Sequence, residues 1–256
     1  MDIVVVIKFV PDLVEDLEID PGSGLLDRTF LRLMPNELDD HALEEALLLK
    51  ERHGGRVTVV ALDSGDVDET LYTALAKGAD RAIKLTGEGF DQGPGNGRIA
   101  AVLQRALGDI RFDLILTGTQ AVDDLDGFVG ALLAARLGLP YVGYVTRVVP
   151  GSGAITVDKE YPGGLTAEIE VRGPAVLGIQ AAEKPPRYVV TSKVMEAMKT
   201  ARIEELAVDL ADEGAGALVT AMAAPEAGRR AEMIEGTVEQ VAERLAGLLR
   251  ERGIAS

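Results

Sequence analysis

The sequence predicts an α/β fold: a doubly wound, mainly parallel sheet with helices on both faces, an antiparallel hairpin, and a C-terminal extension ending in a helix. Three observations predict it. Short runs such as Ile3-Val4-Val5-Val6-Ile7 and Val57-Thr58-Val59-Val60-Ala61-Leu62 are apolar at nearly every position, as strands covered on both faces must be. Amphipathic helical stretches separate these runs up to about residue 149, which implies right-handed crossovers between parallel strands. Beyond Pro150 the pattern changes to two alternating runs around Pro162-Gly163-Gly164, a hairpin with one exposed face.

In order, residues 3–7 read as a central strand ended by Pro11-Asp12, and residues 13–28 as an acidic excursion, a hairpin or a mobile loop, with Pro21-Gly22-Ser23-Gly24 as its turn. Asn36 is placed to cap the first helix, whose apolar face is Leu38, Ala42, Ala46 and Leu49 and whose end is Gly54-Gly55. A strand over 56–62, a helix over 67–77 and a half-polar strand over 81–85 follow, the last reading as an edge strand. Residues 87–97 are a glycine-rich loop, 98–107 a helix, and 142–149 a strand. Residues 154–172 form the hairpin and 174–179 another buried strand. The expected organisation is an α/β domain over 1–205, then a linker rich in Ala and Gly and a helix over 237–251 that packs on a partner subunit or folds back.

Bulk composition bounds the function. The net charge of −16 and pI near 4.6 oppose nucleic acid and anionic membrane surfaces. With no cysteine and only His41 and His53, thiol catalysis, disulfides and zinc motifs drop out. The first apolar run is too short for a signal peptide and no later one reaches membrane-spanning length, so a cytoplasmic protein without membrane insertion is expected. No dinucleotide fingerprint or P-loop follows any strand, and no residue is assigned a catalytic or metal-binding role.

One stretch carries the candidate site. Asp113-Leu114-Ile115-Leu116-Thr117-Gly118 reads as a buried strand, and residues 131–137 as a helix with Gly138 as its left-handed cap and Pro140 as its stop. The loop between them lies where open α/β sheets bind ligands and where helix N–H groups favour anions. The competing reading is a plain turn in which Asp126 caps the helix. A second stretch stands out by charge: residues 184–202 carry Lys184, Arg187, Lys193, Lys199 and Arg202 against the single carboxylate Glu196. That suits docking to an acidic surface, or simply balances the acidic residues after Ile203.

Together these motifs resemble the β subunit of electron-transfer flavoproteins, nearly end to end. Val5-Val6-Ile7-Lys8-Phe9-Val10-Pro11-Asp12 is similar to that family's V-K-x-V-P-D opening, and Asn36-Glu37-Leu38-Asp39-Asp40-His41 begins a helix like its N-P-x-D/C-E stretch. Residues 73–81, Gly118-Thr119-Gln120-Ala121-Val122-Asp123-Asp124, Gly163-Gly164 and Pro186-Arg187-Tyr188 follow in the family's order. The resemblance implies a heterodimer in which an α subunit holds the redox-active FAD while this chain buries a structural AMP.

By the same resemblance the AMP pocket comprises Val6, Asn36, Glu37, Leu38, Asp39, Leu62, Gly118, Thr119, Gln120, Ala121, Val122, Asp123, Asp124, Asp126, Gly127, Phe128 and Val129. Leu13 stands near the flavin, in the place of a Tyr in some relatives. Arg187, Tyr188, Thr191, Val194 and Met195 belong to a recognition segment for acyl-CoA or similar flavin dehydrogenases, though Thr191 replaces a Leu anchor. The chain also departs from the family at Asp126-Gly127-Phe128: the Phe side chain donates no hydrogen bond and the Asp repels phosphate, leaving backbone N–H groups to hold it. An electron-bifurcating relative would hold FAD in this pocket instead, and a free-standing adenine-nucleotide sensor would need no α subunit.

Overall fold

The structure is a computed structural model that describes residues 1–90, 93–125, 127–208, 219–225, 231 and 233–254. In chain order the elements are β1 (Asp2–Ile7), β2 (Phe9–Pro11), β3 (Leu33–Pro35), α1 (Glu37–His53), β4 (Arg56–Leu62), α2 (Val67–Lys77), β5 (Arg81–Thr86) and α3 (Asn96–Ala106). They continue with β6 (Leu114–Gly118), α4 (Val129–Leu137), β7 (Tyr141–Pro150), β8 (Ala154–Tyr161), β9 (Leu165–Arg172), β10 (Ala175–Ile179), α5 (Thr191–Thr200), β11 (Ile203–Ala207) and α6 (Val238–Glu251). Two compact units result, Met1–Ala221 and Met222–Ser256.

In the first unit a nine-stranded sheet runs β11, β5, β4, β1, β6, β10, β7, β8, β9, and β2 pairs with β3 in a separate antiparallel ribbon. Every pairing from β11 to β7 is parallel, and β8 and β9 extend the sheet as the antiparallel hairpin. Strand alternation sorts the core into two layers. Ile3, Val5 and Ile7 pack with Leu43, Leu47 and Leu71 of α1 and α2, while Val4 and Val6 pack with Ile99, Leu103 and Leu133 of α3 and α4. The sheet is therefore doubly wound, with two helices on each face.

The sequence expectation for β5 is corrected here. β5 is an inner strand, because β11 pairs alongside it in parallel. Its charged residues are matched across that pairing, Arg81 by Glu204 and Lys84 by Glu205, while Asp68 of α2 adds a second carboxylate to Lys84. Polarity that read as an edge exposed to water is cross-strand ion pairing, supplied by residues more than a hundred positions later. β11 also takes Leu206 and Ala207 out of the stretch read as linker.

The second unit contains α6, opened by a capping box between Thr237 and Gln240. No α6 residue is buried. Among the described residues no helix is long and apolar enough to cross a membrane.

Candidate functional site

β1 leads through α1 to β4 on one side of it, whereas β6 pairs on its other side. The winding reverses between β1 and β6, and the ends of two neighbouring strands part there to leave a crevice. Val6, Lys8, Asn36, Asp39, Gly118 and Val129 line it together with Gln120, Ala121 and Asp124.

Its floor is set by close packing. A Cβ on Gly118 would lie 2.7 Å from the Leu38 Cβ and 2.9 Å from the Asn36 Nδ2, so only glycine lets the first turn of α1 come this near. Gly130 does the same for α4, where a Cβ would meet the Thr117 hydroxyl at 2.5 Å. Asp39 ties the corner together. Its two oxygens accept the backbone N–H groups of Lys8, at 2.8 Å, and of Gly118. Burial raises its carboxyl to about 7, against the lowering effect of those two hydrogen bonds, of Asn36 and of the Lys8 charge.

Gln120 to Asp124, and Gly127, are held from three directions. Asn36 does not cap α1 with its side chain; its Nδ2 donates to the Gln120 carbonyl at 3.0 Å. Lys8, only 9% exposed, donates to Asp123 at 2.6 Å and Asp124 at 2.9 Å. Asn96, buried at the start of α3, donates to Asp124 at 2.6 Å and to the Gly127 carbonyl at 2.7 Å, and Asp124 accepts the Ala121 N–H at 2.7 Å. Neither Lys8 nor Asn96 stands out in sequence as a site residue. Lys8 follows a strand and Asn96 closes a glycine-rich loop; only the topology brings them to one carboxylate.

Comparison with known proteins gives this geometry its context. The family description "Electron transfer flavoprotein domain" matches residues 28–211. The chain is 34% identical to the electron transfer flavoprotein subunit beta of Methylophilus methylotrophus, covering 98% of both chains. It is 31% identical to the proteins of that name from Clostridium acetobutylicum, with 98% of each chain covered, and Thermoanaerobacterium thermosaccharolyticum, with 99% of this chain and 100% of the relative covered. The chain belongs to the electron-transfer flavoprotein β-subunit family.

Of the residues that the family resemblance nominates, the crevice gathers Val6, Asn36, Asp39, Gly118, Gln120, Ala121, Asp124 and Val129. Leu62 and Asp123 line an adjoining cleft of about 70 Å³ that shares Val6 and Lys8. Leu38 packs beneath Gly118, Val122 is exposed on the loop, and Phe128 occupies the N-cap position of α4. Glu37 lines a different groove. Thr119 is fully buried, and its hydroxyl accepts the Tyr144 N–H at 2.9 Å rather than lining the crevice. Asp126 lies outside the described residues.

The donor set fits an adenine nucleotide. The first turn of α4 has N–H groups without intrahelical partners beside Val129, placed for a phosphate. Free space within the crevice is about 10 Å³, less than a nucleotide fills.

The segment that the resemblance nominates for partner recognition is divided in its contacts. Tyr188 is 85% and Met195 49% exposed, Thr191 is exposed and Val194 half-buried. Arg187 instead turns inward, to Glu44 and Glu51 of α1. Leu13, 60% exposed, sits on the excursion between β2 and β3 and does not line the crevice.

Proposed function

We propose that this chain is the small subunit of a heterodimeric electron-transfer flavoprotein. It pairs with an α subunit that holds FAD, and it carries electrons from flavin dehydrogenases of the acyl-CoA type towards a downstream acceptor. FAD supplies the electron chemistry; this chain makes and breaks no covalent bonds. Its own crevice takes AMP as a fixed structural part.

The observation that supports this best is the crevice at the winding reversal between β1 and β6, lined by eight of the residues that the family resemblance nominates. In that reading Gly118 lets the first turn of α1 close the floor of the crevice, the first turn of α4 turns N–H groups towards the phosphate, and Lys8 exchanges one of its two carboxylates for that phosphate. Leu13 and its neighbours on the excursion cover the flavin side and keep water out.

Co-expression with the α subunit, followed by flavin and nucleotide extraction, tests the reading. One FAD and one AMP per heterodimer is the expected result. Two flavins without AMP would assign FAD to this crevice, as in a bifurcating complex. A stable chain that binds neither α subunit nor nucleotide would overturn the proposal.

A further inference from the structure

The residues just before α5 have no regular secondary structure, yet their backbone is tightly held. His41, Glu44 and Glu45 stand at the i, i+3 and i+4 positions of α1 and so share one face. The His41 Nδ1 accepts the Ala182 N–H at 3.2 Å, Glu45 accepts the Glu183 N–H at 3.1 Å, and Glu44 accepts the Arg187 N–H at 2.9 Å. Arg187 then doubles back: its Nε lies 2.9 Å and its Nη2 2.8 Å from the Glu44 carboxylate, and its Nη1 lies 2.6 Å from Glu51. Arg52 closes the far side on Glu183 at 3.0 Å.

Glu44 and Glu45 are among the most buried carboxylates of the described residues. Buried charges are costly unless paired, and a planar fork against a carboxylate is the geometry that fixes orientation as well as position. The strap leads into α5, which begins four residues after Arg187, packs on α2 and buries only Ala197. The outer surface of this segment presents Tyr188, Val190, Met195 and Met198 to solvent. Among the described residues no ion pair engages Lys193, Lys199 or Arg202. A basic, partly apolar surface thus follows a strap whose Arg187 is turned inwards, in a chain of net charge −16.

We propose that Glu44 and Arg187 are positioning residues for partner docking: the strap on α1 sets the height and angle at which α5 meets an acidic-rimmed apolar surface on a flavin dehydrogenase. Arg187 acts through α5 and does not touch the partner. The proposal rests on the electron-carrier reading given above.

Arg187→Met alone strands a buried carboxylate, so the informative variant is the double one, Glu44→Gln with Arg187→Met, prepared as the heterodimer beside Arg187→Lys. Two readouts are taken: hydrogen–deuterium exchange over residues 182–202, and steady-state reduction by an acyl-CoA dehydrogenase that reduces the wild type. The expected result is exchange at least tenfold faster over 182–202 but unchanged over β1 and β6. KM for the dehydrogenase should rise about tenfold with kcat unchanged, and the flavin content should not move. Arg187→Lys, which keeps charge but loses the fork, should fall between the two. Unchanged exchange in the double variant would overturn the strap. Faster exchange with unchanged KM would overturn the docking role while leaving the crevice and its nucleotide untouched.

Discussion

Asp39 and Gly118 meet side chain to backbone at the corner of the crevice: the Gly118 N–H donates to one Asp39 oxygen while the Lys8 N–H donates to the other. One carboxylate thus joins the ends of two neighbouring strands across the point where the winding reverses. Ionised, it accepts both bonds; burial nevertheless raises its carboxyl to about 7.

The sign of the pH effect follows. Because the folded value lies above the ordinary 3.8, the Asp39 contribution to stability is full below about pH 4 and is lost as pH rises through 7. The loss amounts to about 4 kcal/mol at most. Asp39→Asn imitates the protonated form, with one acceptor for two donors. Denaturant melts should show wild-type stability falling between pH 5 and pH 8 by 1 kcal/mol or more, roughly, beyond any fall in the variant. Parallel curves for the two proteins would refute the account.

Gly118→Ala should be more damaging than its size suggests. The added Cβ meets the Leu38 Cβ at 2.7 Å and the Asp39 Oδ1 at 2.8 Å, both on the rigid first turn of α1. The overpacking should cost about 1–3 kcal/mol. Nucleotide content of the purified heterodimer should fall by more than half even under conditions where the variant is fully folded. Full nucleotide content would show that the crevice floor is not where the base rests.

Asn96→Ala removes the bonds to Asp124 and the Gly127 carbonyl without changing strand or helix. Loss of these bonds should destabilise by about 1–3 kcal/mol. A faster release of nucleotide, read by dilution into nucleotide-free buffer, should accompany it, since Asp124 then answers only to Lys8 and Ala121. A release rate equal to wild type would detach Asn96 from the loop's function.

These cases show what the letters carry and what they leave out. The alternation of apolar runs and helices fixes the layers, because strands covered by helices on both faces are apolar at nearly every position, as β1, β4, β6 and β10 are. β5 was misread as an edge because its Arg81 and Lys84 answer to Glu204 and Glu205, whose strand looks like the start of a linker. Thr119 was legible as a member of the loop after β6 but not in its direction: its hydroxyl points into the sheet, to Tyr144. Asn36 was legible at the start of α1, whereas its reach to Gln120 depends on β6 lying beside β1.

Tyr144 offers a test of that inward direction. It has a φ of 59° within β7, a left-handed conformation that costs a tyrosine of order 1–3 kcal/mol, and the Thr119 hydroxyl holds its N–H there. Thr119→Val keeps the shape and removes the acceptor, which should destabilise by about 1–3 kcal/mol. Adding Tyr144→Gly should recover part of that loss by relieving the backbone, though the ring's place beside Lys159 is given up. Strictly additive losses in the double variant would show that the two residues are not coupled.

Glu45 gives the sharpest pH test outside the crevice. Burial first, then the like charges of Glu183 and Glu44, raise its carboxyl to about 7 against the hydrogen bond from the Glu183 N–H and the attraction of Arg52. Its Oε1 is buried without a hydrogen-bond partner. The contribution of this group is complete below about pH 4.5 and is lost as pH rises through 7. Glu45→Gln keeps an oxygen for the Glu183 N–H and removes the charge, so it should stabilise by about 1–2 kcal/mol at pH 8 and by nothing measurable at pH 5. Chemical denaturation of the heterodimer at the two pH values measures the difference. A gain of equal size at both would mean that packing, and not the ionised carboxylate, sets the cost at this position.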